Sequence, residues 1–452
     1  MKKFLKSLFA IMICFVSLLT FAGCNKTTLS KTTNITEGVV SNGGISVTYN
    51  GYVYFINGTK TNNADNNKGK LVQGAIYKAK LDDKGNVVDN TYERVIDRLV
   101  GYKDGQIFIF GDFLYYATPC KDKNKSGEML NEKTEFRRYD LKKNVDQFIY
   151  VSNQSSDTLT YTYYKDGNNL DLLVYEKNNA TLKSIRIGNK METLFTKENV
   201  KSVLFSDNNG ENKNENSFAD NYVFYTLSYE ENSSIQRGVR VYKVKADGTG
   251  EQKICEGESV TLLTIKAGRL VYSYDSHIYS AKITNGEDTL GFEIEDVVCY
   301  KNYEDIIFLE DEDNTVLVVD NDNLCIVSWK NSTAPKTVIT DFANGDNVKL
   351  IGVEGDYLYY QYSKSVYKIK FRNATEDEMV EIKLSTTSMD EAADLIAPEI
   401  NNGYIYGMYT DSSKKTTYLY RINLLTPEER GEKDEDGKSK EIEEAEFIGI
   451  KE

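Results

Sequence analysis

Histidine is nearly absent from this chain, which has a single one, His277, among 452 residues. Ser-His-Asp hydrolysis and most zinc sites require histidine, and many require several. His277 comes directly before Ile278-Tyr279, one copy of a repeated motif described below. The residues at the matching position in other copies are Ala75, Arg240, Ser365 and Tyr418. Because this position varies so widely, we interpret His277 as a solvent-facing strand residue and expect no catalytic role for it.

Proline and tryptophan are also scarce, with four residues and one, whereas there are 33 tyrosines and 31 glycines. Tyrosine-rich segments punctuated by glycine favour strands over helices. The net charge of −14 argues against nucleic acid as a partner, since binding to phosphate needs a basic face. The sequence contains no GxGxxG, GxxxxGK[ST] or GxSxG motif. It therefore predicts no cofactor, no nucleotide site and no hydrolase nucleophile.

Cysteine is present at six positions, without any CxxC pair that would indicate a metal or redox site. Cys14 lies in an apolar N-terminal segment, and Cys24 follows that segment. The other four, which allow three pairings, are Cys120, Cys255, Cys299 and Cys325. We favour buried free thiols over a disulfide for these four, because cysteine often packs as a small hydrophobic residue.

The N-terminus has the organisation of an export signal. Three lysines (Lys2, Lys3 and Lys6) precede an apolar run from Leu8 to Leu19, which is followed by Thr20-Phe21-Ala22-Gly23-Cys24. Small residues directly before a cysteine resemble the lipobox of bacterial lipoproteins. The resemblance implies cleavage after residue 23 and a diacylglyceryl group on Cys24. An ordinary secretory signal with a chance cysteine is the alternative. The apolar run is shorter than the ~20 residues that span a bilayer.

These features predict where the mature chain is located. We expect it to be anchored to membrane lipid through acylated Cys24, on the extracytoplasmic face of the cell membrane of a Gram-positive-type bacterium. Residues 25–43 are polar and show no hydrophobic pattern. We interpret residues 24–43 as the lipidated cysteine and a flexible tether.

A two-part motif recurs through the rest of the chain. The first part is a turn residue followed by alternating apolar and tyrosine residues, as in Gly51-Tyr52-Val53-Tyr54-Phe55 and Asp356-Tyr357-Leu358-Tyr359-Tyr360. The second part is apolar-Tyr-basic-apolar, as in Val241-Tyr242-Lys243-Val244; Phe136-Arg137-Arg138-Tyr139 is a weaker copy with arginine at the tyrosine position. Roughly eight copies occur, and the period of two indicates strands with one buried face.

Repeats of roughly 40 to 60 residues built only of strands predict an all-β fold, a β-propeller of seven or eight four-stranded blades over residues 44–452. The number is eight if the degenerate copy at residues 159–187 forms a blade of its own, and seven if this copy belongs to a longer neighbouring blade. The motifs resemble a bacterial propeller-domain family of unknown function, similar to low-density-lipoprotein-receptor-type and TolB-like propellers and often found on lipoproteins. That resemblance implies no catalytic residues.

Ring closure in propellers usually combines strands from both chain ends in one blade. The candidates are Ile45–Tyr49 and a closing strand at residues 447–450. Residues 426–446 lie between the last repeat and the candidate closing strand, and they are almost wholly charged. We interpret this stretch as a solvated loop or frayed helix, with a partner-binding acidic arm as the alternative.

Acidic side chains raise the question of calcium. Asp122-x-Asn124-x-Ser126-Gly127 begins like an EF-hand loop, but Lys133 stands where a bidentate glutamate is needed, so we reject an EF-hand. The acidic runs 310–314 and 320–323 are interpreted as solvated hairpin turns, with a surface Ca²⁺ as the alternative. No metal site is predicted.

Three functions remain compatible with these observations. We favour a binding scaffold for an extracytoplasmic protein, peptide or glycan. The alternatives are a carboxylate-based hydrolase or lyase acting on surface polysaccharide, and an accessory or sensor subunit of a membrane complex. Tyrosines recur at fixed repeat positions, so we expect most of them to be structural rather than sugar-binding.

Overall fold

The computed structural model describes residues 44–447, apart from gaps at 59–71, 84, 89, 97, 101–105, 122–131, 167–168, 206–221, 232–235, 258–259, 267–268, 275–276, 286–289, 299–302, 309–314, 321–322, 329–335, 340–347, 363–364, 373, 375, 387–395, 402, 412–415 and 443–445. The predicted signal peptide, Cys24 and the tether lie outside the described residues. So do Cys299, the Asp122–Gly127 segment and the acidic run 310–314.

The described chain forms eight four-stranded antiparallel sheets, and each sheet is made of four consecutive strands. We number the sheets in chain order. The strands of sheets 1 to 4 are β1 (Ser46–Tyr49), β2 (Tyr52–Ile56), β3 (Ile76–Lys80), β4 (Glu93–Arg94), β5 (Phe108–Phe110), β6 (Phe113–Pro119), β7 (Thr134–Asp140), β8 (Val145–Ser152), β9 (Leu159–Asp166), β10 (Asn169–Glu176), β11 (Thr181–Ile187), β12 (Met191–Lys197), β13 (Val200–Phe205), β14 (Tyr222–Glu231), β15 (Gln236–Lys245) and β16 (Gln252–Gly257).

The second half of the chain repeats this arrangement. The strands of sheets 5 to 8 are β17 (Val260–Lys266), β18 (Arg269–Tyr274), β19 (His277–Asn285), β20 (Leu290–Val298), β21 (Tyr303–Phe308), β22 (Thr315–Asp320), β23 (Asn323–Ser328), β24 (Lys336–Ile339), β25 (Lys349–Glu354), β26 (Tyr357–Tyr362), β27 (Ser365–Lys370), β28 (Glu381–Thr386), β29 (Ile396–Asn401), β30 (Tyr404–Asp411), β31 (Thr416–Asn423) and β32 (Glu446–Phe447). Short 3₁₀ turns occur at Ser156–Thr158, Lys177–Asn179 and Glu376–Glu378.

The two-part motif maps onto the second and third strands of a sheet. Tyr52 of β2 lies opposite Lys80 of β3, and Tyr357 of β26 lies in the same way opposite Lys370 of β27. First strands contact the first strands of neighbouring sheets, as β13 does with β17 and β25 with β29. The first strand of each of these sheets is therefore the innermost one.

Hydrophobic cores lie between neighbouring sheets, because each strand alternates its side chains between two packed faces. Sheets 2 and 3 share one such core, sheets 3 and 4 another, and sheets 7 and 8 a third. The core around sheet 1 also contains Tyr406 and Met408 of sheet 8. The last sheet therefore packs against the first, and the predicted all-β propeller with four-stranded blades is confirmed.

The expected closure by a shared strand is wrong for the described residues. β1 pairs with β2 in sheet 1, whereas β32 pairs with β31 in sheet 8. The physical reason is that each terminal sheet is already completed by four consecutive strands of its own. Within the described residues, side-chain contacts therefore join sheet 8 to sheet 1. Residues 448–450 of the predicted closing strand lie outside the described part of the chain.

The degenerate copy at residues 159–187 forms β9, β10 and β11, which with β12 make a sheet of their own. It is not an extension of a neighbouring blade. Its Asp171 and Arg186 replace the aromatic and lysine residues found at these positions in clearer copies. The hydrogen-bonded ladder is unaffected, and Asp171 pairs directly with Arg186.

The charged segment after β31 begins with a turn that is stabilised by its own side chains. Thr426 and Glu429 form a capping box: Glu429 accepts from the Thr426 amide at 2.7 Å, and the Glu429 amide donates to the Thr426 hydroxyl at 3.2 Å. Gly431 ends the turn with φ +70°. Its amide donates to Glu428, and the next amide donates back to Pro427, which is the Schellman pattern.

An exposed hairpin follows this turn. Lys433 and Ser439 form an isolated bridge, and Asp434 accepts the amides of Asp436 and Lys438 around the tip. The segment is thus a capped turn and a hairpin rather than a helix. Elsewhere in the described part of the chain, no helix is long and apolar enough to cross a membrane.

Candidate functional site

Among the described residues, a cation over an aromatic ring recurs in five of the sheets. The third strand places its basic residue diagonally across from the first aromatic residue of the second strand. The pairs, with the distance from the charged group to the ring centroid, are Lys78–Tyr52 (5.3 Å), Arg138–Phe113 (4.1 Å), Lys243–Tyr222 (4.6 Å), Lys368–Tyr357 (4.7 Å) and Arg421–Tyr404 (4.4 Å). The basic residue of the second motif is therefore a packing element, since the ring face attracts the cation.

Two of these cations also reach the next sheet. Lys368 Nζ donates to the Leu424 carbonyl at 3.1 Å and to both carboxylate oxygens of Glu429 at 2.7 Å. Arg421 donates to the Gly85 carbonyl at 2.5 Å and to Asn86 Oδ1 at 3.1 Å. In both cases the acceptors follow the third strand of the neighbouring sheet, so the motif joins one blade to the next.

The fourth residue of the second strand is a tyrosine in several sheets, and these tyrosines make a different contact. Their hydroxyls donate to a carboxylate near the start of the fourth strand in the same sheet. The pairs are Tyr116–Asp146 (2.8 Å), Tyr360–Glu381 (2.6 Å) and Tyr225–Glu251. The expectation that repeated tyrosines are structural is confirmed for these residues. Burial and the neighbouring carboxylate raise the pKa of both Tyr116 and Tyr225 well above the ordinary value.

Lys243 differs from the other cations in its electrostatics. It is only 3 % exposed, and no carboxylate pairs with it among the residues that the structure describes. Burial, followed by the charge of Lys245, lowers its pKa to about 8. The corresponding contacts of Lys368 and Arg421 go to the turn after the third strand of the next sheet. For Lys243 that turn includes residues 286–289, which lie outside the described chain.

A buried carboxylate cluster lies between sheets 2 and 3. Glu176 is 2 % exposed and accepts from Ser152 Oγ at 2.7 Å, Lys183 Nζ at 2.9 Å and Tyr150 OH at 3.1 Å. Burial alone would raise the pKa of Glu176, but the hydrogen bonds from Ser152 and Lys183 and the Lys183 charge lower it below its usual value. Ser152 is fully buried. This set is a satisfied structural network, since its serine is closed to any substrate.

The two ends of the sheets differ in their connections. One end carries the turns between first and second strands and between third and fourth strands. The other, which we call the loop end, carries the connections from second to third strand and from sheet to sheet. Three long connections begin and end at the loop end of sheets 1 and 2, between β2 and β3, between β4 and β5, and between β6 and β7. By contrast, only residues 177–180 connect β10 to β11.

Hydrogen bonds hold the bases of these three connections together. The first is closed where Asn57 Nδ2 donates to the Val72 carbonyl at 3.0 Å. The Val100 amide donates to Gly74 at 2.6 Å, and the Thr118 hydroxyl donates to the Leu99 carbonyl at 2.6 Å. Leu99 itself remains 50 % exposed. The described bases are therefore joined by hydrogen bonds, with one large apolar side chain exposed among them.

A charged network begins at Arg98, the neighbour of Leu99 in the chain, and continues along β7 to Asp146 at the start of β8. Arg98 contacts Glu135 at 3.1 Å and Asp146 at 3.2 Å, and Arg137 contacts the same two carboxylates at 2.7 and 2.9 Å. Glu135 is buried, whereas the Arg98 side chain is 20 % exposed. Opposite charge near the guanidinium of Arg137 raises its pKa despite burial. We call Arg98, Leu99, Glu135, Arg137 and Asp146 the loop-base site.

The sequence contained a signal for this site that sequence reasoning did not use. Arg137 stands where other copies of the second motif have a tyrosine, such as Tyr242 and Tyr367. That departure from the repeat puts a second arginine between Glu135 and Asp146. Arg98 has no such signal, because it lies 37 residues from Glu135 in the chain.

The loop-base site is suited to binding rather than to acid–base chemistry. Both of its carboxylates are held by two arginines, so neither is available as a general base without breaking an ion pair. In the described residues, no three His, Cys, Asp or Glu side chains are placed to hold a metal ion. An exposed apolar residue beside fixed arginines is a typical feature of a protein or peptide interface.

The individually predicted residues fall in several places. His277 begins β19, where its backbone pairs with Tyr274. Cys120 is buried, as expected, and its amide donates to the Lys133 carbonyl. Cys255 pairs with Val241 in sheet 4 and Cys325 with Val318 in sheet 6. None of these residues joins the loop-base site. Lipidation at Cys24 stays a prediction.

Comparisons with known proteins give a fold likeness only. No family model matches the chain, and no curated protein matches it. Among solved structures, it is similar to a prolyl endopeptidase (12 % identity, 75 % of this chain and 49 % of that one, TM-score 0.42). It is also similar to Porphyromonas gingivalis dipeptidyl peptidase 4 (11 %, 87 % and 58 %, 0.44) and to the β-propeller domain of the trilobed protease from Pyrococcus furiosus (10 %, 87 % and 97 %, 0.36).

The chain thus spans about half the length of the two peptidases. At these identities and TM-scores, the likenesses carry no argument about activity. The strand order and packing of this chain define its class, an all-β propeller with four-stranded blades.

Proposed function

We propose that this protein is a membrane-anchored extracytoplasmic propeller that binds a protein, peptide or glycan partner through the loop end of sheets 1 and 2. One observation supports this choice of surface above all others. Hydrogen bonds join the described bases of three long connections there, and Leu99 is exposed among those bases. Binding residues commonly lie on loops that a rigid scaffold positions.

We further propose that the eight sheets are the eight blades of one ring. Sheets 1 and 2 share a core, as do sheets 6 and 7, and sheet 8 contributes Tyr406 and Met408 to the core of sheet 1. A ring of this kind is a fixed support, so partner binding would not require the blades to rearrange.

The binding proposal is tested by photo-crosslinking on intact cells. A photoreactive amino acid replaces Leu99 in one variant and Val380 in the other. Val380 is a matched control, because it is 58 % exposed on a connection within sheet 7. We expect an adduct at position 99 that an excess of purified residues 25–452 suppresses, while the same fragment carrying Leu99→Asp does not. Equal adducts at both positions, or competition by both fragments, would contradict the proposal.

The membrane anchor needs a separate test. Cells are fed an alkyne fatty acid, and the labelled protein is compared between wild type and Cys24→Ala. We expect label on the wild type alone, with the variant released into the medium or retained as a precursor. Two acyl chains at ~0.8 kcal/mol per buried methylene would hold the wild type on the membrane. Labelling that survives the substitution would refute lipidation at Cys24.

A further inference from the structure

The contact between sheet 8 and sheet 1, which we call the seam, differs from every other junction in one respect. At each other junction, the chain runs from the fourth strand of one sheet into the first strand of the next. At the seam no segment of the described chain links the two sheets, and within the described residues no strand is shared, since β1 belongs to sheet 1 and β32 to sheet 8. If two sheets at a continuous junction separate, the connecting segment keeps them close, so they rejoin readily. Sheets 1 and 8 have no such segment.

Side chains must therefore hold the seam, and Arg421 is central among them. It is only 1 % exposed, and it donates from its two terminal nitrogens to Gly85 and Asn86 of sheet 1. The turn that it contacts also lies against sheet 8, because a Cβ added at Gly85 would be 4.0 Å from the Tyr404 ring, an ordinary van der Waals distance. Apolar packing of Tyr406 and Met408 completes the described seam.

We infer that the seam is where the propeller opens first and that Arg421 is the residue that holds it closed. When the Arg421 contacts are lost, sheets 1 and 8 separate while the other junctions stay packed. This inference depends neither on the partner nor on the lipid anchor, so it can fail while the proposed function stands.

Lys368 provides a matched control at a continuous junction. It occupies the same register position in sheet 7, is equally buried, and contacts sheet 8 through Leu424 and Glu429. Arg421→Met and Lys368→Met remove comparable contacts. The two variants differ in the junction that they affect. Residues 387–395 connect β28 to β29 across the junction of Lys368, whereas no segment of the described chain crosses the seam of Arg421.

Hydrogen–deuterium exchange of the full-length protein separates the two cases. For Arg421→Met we expect amides of β1–β3 and β29–β31 to exchange about 10- to 100-fold faster, since each lost charge-assisted hydrogen bond is worth roughly tenfold in opening. For Lys368→Met we expect less than a threefold change at β25–β31. Similar increases in both variants, or an increase spread over all sheets, would overturn the inference.

A circular permutant provides a second measurement if Arg421→Met fails to fold. It joins residue 447 to residue 44 through a linker as long as residues 149–158, because Phe447 has the strand position of Phe148, and it opens the chain between Glu198 and Asn199. We expect fast exchange to move to the junction of sheets 3 and 4, with the seam now protected. If the seam of the permutant still exchanges first, chain discontinuity is not the cause.

Discussion

Replacing Glu176 by glutamine tests whether the buried carboxylate cluster stabilises the junction of sheets 2 and 3. The wild-type carboxylate accepts three hydrogen bonds, from Ser152, Lys183 and Tyr150. Glutamine keeps one acceptor oxygen and turns an amide donor toward groups that are themselves donors. At least one buried group is then left without its acceptor.

The size of the effect follows from the exposure of the partners. Breaking a buried ion pair costs about 3–5 kcal/mol when one charge is left uncompensated. The Lys183 side chain is 25 % exposed, so water takes over part of its solvation. We therefore expect Glu176→Gln to lower the free energy of unfolding by about 2–3 kcal/mol at pH 7.

The pH dependence gives the sharper test. The folded-state pKa of Glu176 is below its usual value of 4.5, so its stabilising contribution is present above that value. The contribution is lost as pH falls through the folded-state pKa. Urea unfolding, followed by tyrosine fluorescence, should show the difference between wild type and Glu176→Gln shrinking from pH 7 toward pH 3.

Glu198→Gln is the control, because Glu198 is exposed and adjoins the same sheet. We expect it to change the free energy of unfolding by less than about 0.5 kcal/mol at either pH. A Glu176→Gln penalty that is under 1 kcal/mol at pH 7, or that is the same at both pH values, would refute the reasoning.

Three further substitutions test single contacts by the same urea unfolding. Lys243→Met should raise the free energy of unfolding by roughly 1 kcal/mol at pH 7. Burial lowers the pKa of Lys243 from 10.5 to about 8, so its charge destabilises the fold fully below pH 8 and progressively less up to pH 10.5. The gain from Lys243→Met should therefore vanish as pH rises toward 10.5, and equal gains at pH 7 and 10.5 would contradict this. Gly74→Ala should cost about 1–2 kcal/mol, because Gly74 has φ +80° and an added Cβ would lie 3.0 Å from the Val100 carbonyl; a neutral result would exclude that constraint. Ser184→Ala should cost about 1–2 kcal/mol, since the buried hydroxyl donates to Ala246 of the next sheet at 2.5 Å; Ser184→Thr, if it restores stability, would support the hydrogen bond.

The strands and their pairing could be predicted because both parts of the motif are local. Tyr357 and Lys368 belong to strands that are close together in the chain, so alternation and spacing alone place them on one face. The same register predicts a cation beside an aromatic ring, although sequence reasoning had assigned the lysine no partner. Ring closure could not be predicted in this way, since the position of β32 depends on how the segment after β31 folds.

The loop-base site lay mostly beyond sequence reasoning. Its ion pairs join Arg98, which follows sheet 1, to Glu135 and Asp146 in sheet 2. No periodicity relates such positions, because they meet only after two sheets have packed. Arg137 was visible as a departure from the repeat, but its meaning required the positions of both carboxylates.

The construction of each sheet from four consecutive strands has a consequence for how such genes can change length. A duplication or deletion that starts and ends in sheet-to-sheet connections, such as residues 153–158 and 198–199, would add or remove a whole sheet and leave every strand pair intact. A sheet copied from one of the five with a cation over an aromatic ring would keep that contact, because both residues lie within the sheet. In a propeller closed by a shared strand, by contrast, the terminal sheet could not be copied or lost without separating strands that belong to opposite ends of the gene.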